Sequence, residues 1–488
     1  MNRQGPILPL LRGTTTFESA VEQEEDMLLG LDYPEQRIDF FVGGGVNEWV
    51  HGSFNSLAKR ALIRFPLPYK VGETTYPGNA DDKIRCEAAT FIWLQDNCPD
   101  ISIPQLWGFG LVGGHSFTRP ENTPLIVRIP WYIKRSVSWL FGWTLPSPYV
   151  CHRHSTILEN GYLVMDYVGS PEAQMLSETW DENRNDQDKR ANLFRGLSQI
   201  MLSLSRTPLP CIGSWTLDFD GVLRLSNRPL TLRLHQLENG GVPTNISRGM
   251  TYTTADSYYL DLLSCHDNRL RYQPNSLNDE EDGRAQMASL AIMRALLPQF
   301  TDRQLRQGPY LYQFTDMHPS NIFVDSQWHV KCVVDLEWAC SLPAETLHLP
   351  YWLTGRPIDD LTGESLNTFS QTYDEFLGVF KEEEKSFPLN DNSCWRTGSF
   401  WYFLALNSPK GLFNLVHQHI HPIFDSTHPI SSELPRVVSN YWAADMKKVI
   451  DAKIRDKEEY EKTLRQRFAY STLSRVPRTF GSRADFPL

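Results

Sequence analysis

The stretch Phe314-Thr315-Asp316-Met317-His318-Pro319-Ser320-Asn321 holds more information than any other part of this chain. It continues through Ile322-Phe323-Val324 and closes with Cys332-Val333-Val334-Asp335-Leu336-Glu337-Trp338. Asp316 and Asn321 stand five residues apart in a segment that proline breaks into a loop. The two apolar runs predict short paired strands, and Asp335 sits at the end of the second. Such a pair would hold an Asp, an Asn and a second Asp over one cleft. Phosphoryl transfer from ATP needs these parts. One carboxylate orients or deprotonates the attacking hydroxyl, and an amide oxygen and a carboxylate hold the magnesium that bridges the phosphates. Taken singly, Asp316 and Asn321 are ordinary turn residues and Asp335-Leu336-Glu337 is an ordinary strand end. The spacing of all three is what carries the chemistry. His318 is expected to orient the loop by hydrogen bonding rather than to take part in chemistry.

The pattern D-x-H-P-x-N followed by V-x-D-x-E resembles the aminoglycoside phosphotransferase family of kinase-like small-molecule phosphotransferases. The run from Glu337-Trp338-Ala339-Cys340-Ser341-Leu342-Pro343 to Pro350-Tyr351-Trp352-Leu353-Thr354-Gly355 resembles the fungal branch of that family. This resemblance implies an α+β, protein-kinase-like two-lobed fold, with a small N-terminal sheet lobe and a larger, mainly helical C-terminal lobe. It also implies Asp316 as the catalytic base, Asn321 and Asp335 as magnesium ligands, and Glu337 as support for the metal site through water. ATP would lie between the lobes.

The N-terminal part adds the nucleotide side. His51-Gly52-Ser53-Phe54-Asn55 can form a glycine turn, and Ala61-Leu62-Ile63-Arg64-Phe65 predicts a strand. Asp82 to Asp96 predicts a helix, with Ala88, Ala89, Ile92 and Trp93 spaced for one apolar side and Glu87 on the same segment. Glycine turn, basic strand residue and helical acid follow in the order the family uses. By resemblance Gly52, Arg64 and Glu87 therefore bind the nucleotide, with Arg64 paired to Glu87 and steadying the phosphates. Gly161-Tyr162-Leu163-Val164-Met165-Asp166-Tyr167-Val168 predicts a buried strand. The resemblance places it at the hinge between the lobes, with Met165 and Tyr167 beside the nucleotide. Three positions depart from the family pattern. Arg64 stands where Lys is common, and the two are not interchangeable, although R-F-P at this place looks usual in the fungal branch. The glycine turn is degenerate, with Gly43-Gly44-Gly45 as the alternative. Thr315 precedes the base where Gly or Arg is often found.

Organisation follows from these landmarks. Residues 1–35 read as an N-terminal helical extension. Residues 36–168 form the first lobe, with its ATP-side elements and an aromatic insertion. Residues 169–425 form the second lobe, with the catalytic and metal loops, and 426–488 form a helical extension and tail. Residues 211–250 read as polar, glycine-containing turns. Helices are expected at 171–206, at Ala285–Leu297 ending at Pro298, and at Asn367–Lys385. The last carries the stripe Phe369, Tyr373, Phe376 and Phe380, which reads as core. Further helices are expected over 397–414 and 437–468.

A composition of 41% hydrophobic, 22% charged and 12% aromatic residues is that of a globular protein. The net charge of −11 argues against general binding of nucleic acid, which favours a basic face. It leaves room for ATP, held by local cations and a metal. Eight scattered cysteines form no C-x-x-C pair, so a zinc or redox motif is not expected, and reduced thiols suit a cytoplasmic protein. No run of about 18 apolar residues marks a span, and no signal or lipidation motif is visible, so no stable membrane association is expected. The aromatic segment Trp131 to Trp143 is expected to pack as a wall or lid of the cleft. Asp359-Asp360 and Glu382-Glu383-Glu384 would attract a cationic acceptor such as an aminoglycoside or choline-like amine, but read first as a solvated face.

The reading is an ATP- and magnesium-dependent enzyme that phosphorylates a hydroxyl of a small molecule. The sequence names neither the acceptor nor the oligomeric state. A catalytically idle kinase-like protein that binds a nucleotide or a partner is the alternative. A protein kinase is disfavoured because Leu342-Pro343-Ala344-Glu345 only imitates the segment such enzymes carry.

Overall fold

The computed structural model describes residues 37–40, 61–153, 161–169, 172–356, 358–385, 399–408, 411–428, 430–431 and 433–473. Gly52, the alternative turn Gly43–Gly45 and the N-terminal extension lie outside the described residues. The architecture is mixed α and β, with small antiparallel sheets and many helices, an arrangement compatible with a kinase-like fold.

Six short strands form the first sheet: β1 (Arg37–Phe40), β2 (Ala61–Arg64), β3 (Leu106–Leu111), β4 (His115–Thr118), β5 (Val150–Arg153) and β6 (Tyr162–Asp166). Their order is β1-β2-β6-β3-β4-β5, with every neighbour antiparallel. β6 therefore lies centrally, and Arg64 pairs with Leu163. The helix Asn79–Asn97 packs against this region. Asp81 and Asp82 in its first turn suit the positive end of the helix dipole. Ala88, Ala89, Ile92 and Trp93 are all buried, as their spacing requires. The helix stops short of Pro99, since the residue before a proline is pushed out of helical conformation.

The motif stretch folds as one closed unit. β10 (Tyr310–Phe314) leads into the Thr315–His318 loop and a 3-10 turn at Pro319–Asn321. β11 (Ile322–Val324) then pairs antiparallel with β12 (Val330–Val333), with Ile322 opposite Val333. The two-residue β7 (Gln174–Met175) adds a third strand on β11. A second 3-10 turn, Leu336–Trp338, leads into β13 (Ala339–Pro343), which returns to pair with β10, Phe314 opposite Ala339. Both ends of the motif are thus fastened to each other.

Several expectations are corrected. Residues 211–250 are more regular than their polar composition indicates. They form the hairpin β8 (Ser214–Leu217) and β9 (Leu223–Asn227), followed by the helix Leu232–Asn239. Arg228 explains the stability of this segment. Its buried guanidinium bonds Glu238 at 2.6 Å and Asp82 at 3.2 Å, a tertiary anchor that local pattern cannot reveal. The second correction concerns Pro298, which does not end its helix. The helix spans Glu280–Phe300, because a proline in the last turn removes only one backbone bond. Elsewhere the helices Leu176–Asn183, Gln187–Ser205, Gly363–Glu384 and Ser399–Leu406 lie where periodicity puts them. The final helix is displaced to Met446–Leu473. Phe369, Tyr373, Phe376 and Phe380 are buried, and one hydrophobic cluster runs from Leu62 to Ile450. The seven described cysteines are free.

The aromatic insertion is not a packed lid. It forms the helix Leu125–Leu140, most of whose large apolar side chains face solvent. None of its residues lines the cavity described below.

Candidate active site

Arg64 is the hub of the site. It ends β2, and its fork reaches three carboxylates contributed by distant segments. Nη1 donates to Glu87 Oε1 at 2.6 Å, while Nη2 donates to Asp335 Oδ1 and, at 3.0 Å, to Glu337 Oε2. Glu87 comes from the long helix, so strand cation and helical acid meet as the resemblance implied. Lys83, one turn earlier on that helix, pairs with Glu337 at 2.7 Å and lies 5.6 Å from the Trp338 ring centre. Lys83 does not stand out in the sequence as a site residue. Its signal was the i, i+4 spacing to Glu87 on the buried face, a place where lysine is rare unless paired.

Three carboxylates here face two cations. Burial, the largest influence on Arg64, works against its charge. Asp335, Glu87 and Glu337 together overcome it and hold the guanidinium well above its ordinary range. Burial also pushes the Glu87 carboxyl upward, with Arg64 opposing and Glu337 and Asp335 adding.

Asp335 has left-handed backbone, φ 63° and ψ 60°. Asp tolerates this better than most residues, at a cost of about 1–3 kcal/mol. The kink turns the chain from β12 into the Leu336–Trp338 turn, and Asp335 and Glu337 both reach Arg64. Thr315 then ties the two halves of the motif together: its backbone N–H and its Oγ1 donate to Trp338 O at 2.9 and 2.7 Å.

Asp316 follows at once. Burial, then Asp335 and Glu337, push its carboxyl up to about 6, with Arg233 opposing. Asn321 Nδ2 donates to the backbone carbonyl of Asp316 at 3.0 Å, so the amide nitrogen is engaged and Oδ1 is the amide's acceptor end. Asn321 O accepts from Val334 N at 2.9 Å, next to Asp335. Asp316, Asn321 and Asp335 are therefore neighbours on one unit. His318 caps the 3-10 turn, its Nδ1 bonded to Ser320 Oγ at 3.0 Å, and burial lowers its pKa. That is a local, loop-shaping role.

Two further candidates lie on or after β6, the strand paired with the one that carries Arg64. Met165 is buried in the sheet, paired in register with Leu62 on one side and Leu106 on the other. Tyr167 follows β6 where the chain leaves the sheet.

A cavity of about 720 Å³ opens beside Asp316. Trp180, Phe314, Leu347, Tyr351, Trp352 and Phe400 give its wall an aromatic and apolar part. Trp352 Nε1 donates to Met317 O at 2.7 Å, so this wall and the Asp316 loop hold each other. Arg233 and Arg356 are its cations, and Asp181 is its one acid besides Asp316 among the described residues. His348 also lines it, its ring against Phe400 and Phe403, and neither buried ring nitrogen has a hydrogen-bond partner among the described residues. Burial lowers His348 to about 4, so it is neutral and offers one donor and one acceptor. The acidic residues considered for the acceptor side are elsewhere. Asp360 and Glu382 to Glu384 do not line the cavity, Glu383 pairs with Arg195 at 3.4 Å, and the Asp359 side chain lies outside the described residues. Six separate segments build the cavity, so no local pattern could have announced it.

No family model matches this chain. No curated protein matches it either. Among solved structures, a macrolide 2'-phosphotransferase type I is similar at a TM-score of 0.30 and 10% identity, over 88% of this chain and 98% of that one. A likeness this slight carries no argument, and the site stands on its own residues.

Proposed function

We propose that this protein transfers the γ-phosphoryl group of ATP to a hydroxyl of a small molecule. The observation that carries this reading is the grouping of Asp316, Asn321 and Asp335 on one closed loop-and-strand unit beside a ligand-sized cavity. Asp316 orients the acceptor hydroxyl and takes its proton, and its raised pKa suits that task near neutral pH. Asn321 and Asp335 offer hard oxygen donors of the kind magnesium prefers. The surplus of carboxylates over cations around them also favours a divalent ion. Bound magnesium and ATP would supply the phosphoryl group and neutralise the charge that develops on it. Arg64, steadied by Glu87, would turn its Asp335 end toward the phosphates, with Glu337 as support and Gly52, Met165 and Tyr167 on the nucleotide side. The aromatic wall, the two arginines and unbonded His348 favour an acceptor that is a ring-bearing, hydrogen-bonding alcohol, neutral or anionic, over a polycation. The test is magnesium-dependent ATP turnover over a panel holding both kinds of alcohol. Transfer to neither kind would end the reading.

A second reading has one observation in its favour. Arg64 already occupies Asp335, the carboxylate a metal would need. An idle, nucleotide- or partner-binding protein would keep that contact closed. ATP affinity that is indifferent to magnesium would decide for it.

Two results are expected if transfer is the function. Asp335→Asn should weaken MgATP binding more than Asp316→Ala does, because it removes a ligand charge and half of an ion pair. Calorimetric titration of both variants decides it, and equal affinities would make Asp335 a structural kink residue. Turnover should also fall as pH drops through about 6, where Asp316 takes up its proton. A pH profile flat from 5 to 8 would count against Asp316 as base.

A further inference from the structure

We infer that the helix Leu125–Leu140 and the turn after it dock this protein in the plane of an anionic lipid surface. The helix is inverted relative to an ordinary surface helix, which hides its apolar stripe and shows its polar face. Here Leu125, Ile126, Ile129, Ile133, Trp139 and Leu140 form one stripe at 3.6 residues per turn. All six are exposed, Ile126 at 82%, Trp139 at 73% and Leu140 at 71%. The opposite face, with Arg128, Trp131, Arg135 and Ser138, is the one turned toward the protein. Arg135 is fixed there, donating to the Pro146 carbonyl and lying 5.6 Å from the Trp131 ring centre. Beyond the helix, Phe141 and Trp143 stack at 5.3 Å, and each is 63% exposed. Contiguous exposed apolar surface of this kind marks an interaction site.

Charge selects the occupant. From Asn122 to Arg153 the chain has no Asp or Glu but carries Arg128, Lys134, Arg135 and Arg153, within a protein of net charge −11. Lys134, exposed beside the stripe, stands where a long cationic side chain reaches lipid headgroups, while Arg128 and Arg135 add positive charge from the face turned toward the protein. Lys134 is 56% exposed and pairs loosely, at 3.8 Å, with the exposed Asp220. A second copy docking symmetrically would set these cations against themselves, whereas an anionic bilayer neutralises them. Tryptophans at the edge of an apolar stripe suit the membrane–water interface. Among the described residues no helix is long and apolar enough to cross a membrane, so the contact lies in the plane of the surface.

The experiment is flotation of the full chain with phosphatidylcholine vesicles containing phosphatidylserine, against phosphatidylcholine alone. The chain should float with the anionic vesicles, and less so at about 1 M salt, where screening shortens to about 3 Å. Ile133→Glu, and separately the pair Trp139→Ser with Trp143→Ser, should cut the bound fraction about tenfold or more. Tyr441→Ser, at an exposed aromatic remote in sequence, should leave it unchanged. All these side chains are exposed, so circular dichroism should show folded variants. Absence of flotation, flotation equal on both vesicles, or flotation unmoved by the stripe substitutions overturns the inference. So does a dimer in light scattering that Ile133→Glu converts to monomer.

Discussion

Asp316→Ala is expected to lower phosphoryl transfer by about a hundred- to ten-thousand-fold, the usual range for a general base, with folding and ATP binding close to the parent. Stability should separate this from a merely structural role. The folded chain holds the Asp316 proton with a pKa of about 6, against an ordinary 3.8, so it binds that proton more tightly than the unfolded chain. The associated stability is present below the ordinary value and is lost as pH rises through about 6. At neutral pH the ionised carboxylate therefore costs about 1–3 kcal/mol. Removing it should leave the midpoint of chemical denaturation unchanged or raise it. A turn-capping Asp behaves in the opposite way, since its loss costs about 0.5–2 kcal/mol. Activity within about twofold of the parent, or a clear loss of stability with activity retained, would sink the assignment of Asp316 as base.

Arg64→Met should be the most destabilising single change at the site, at about 3–5 kcal/mol, the cost of leaving buried charges without their partner. Arg64 is 12% exposed and joins Glu87, Asp335 and Glu337, so its loss leaves Lys83 alone among three carboxylates. Arg64→Lys should lose less, because one ammonium keeps the charge but cannot span the three acids as a planar fork does. Urea denaturation of both variants, followed by MgATP titration of whichever stays folded, gives the result. A loss under about 0.5 kcal/mol for Arg64→Met would show the hub to be an exposed-type ion pair of little weight.

Short-range pattern carried the sequence reading a long way because the relevant periods are short. Ile322–Val324 and Cys332–Val334 are short apolar runs bounded by polar loop residues, as buried strands are, and Ile322 and Phe323 pair with Val333 and Cys332. Ala88, Ala89, Ile92 and Trp93 recur at helical spacing, and they are buried together. Arg64 and Glu87 could be matched because each lies on an element recognisable by itself. The final helix was placed too early because its charged sequence has weak apolar periodicity and no strong start signal.

Three features depended on distant segments coming together. Lys83 looked like one more surface lysine until Glu337, far away in sequence, arrived beside it. The cavity wall is divided among six segments that no local pattern joins. The segment Trp131–Trp143 read as packed because it is aromatic, yet its helix turns that surface outward. Local sequence holds what a backbone period can encode: which residues form strands, helices and loops, and that Asp316, Asn321 and Asp335 share one unit. Whether a charge is paired, an apolar face covered or a cavity enclosed depends on atoms far along the chain, so those properties exist only once the chain has folded.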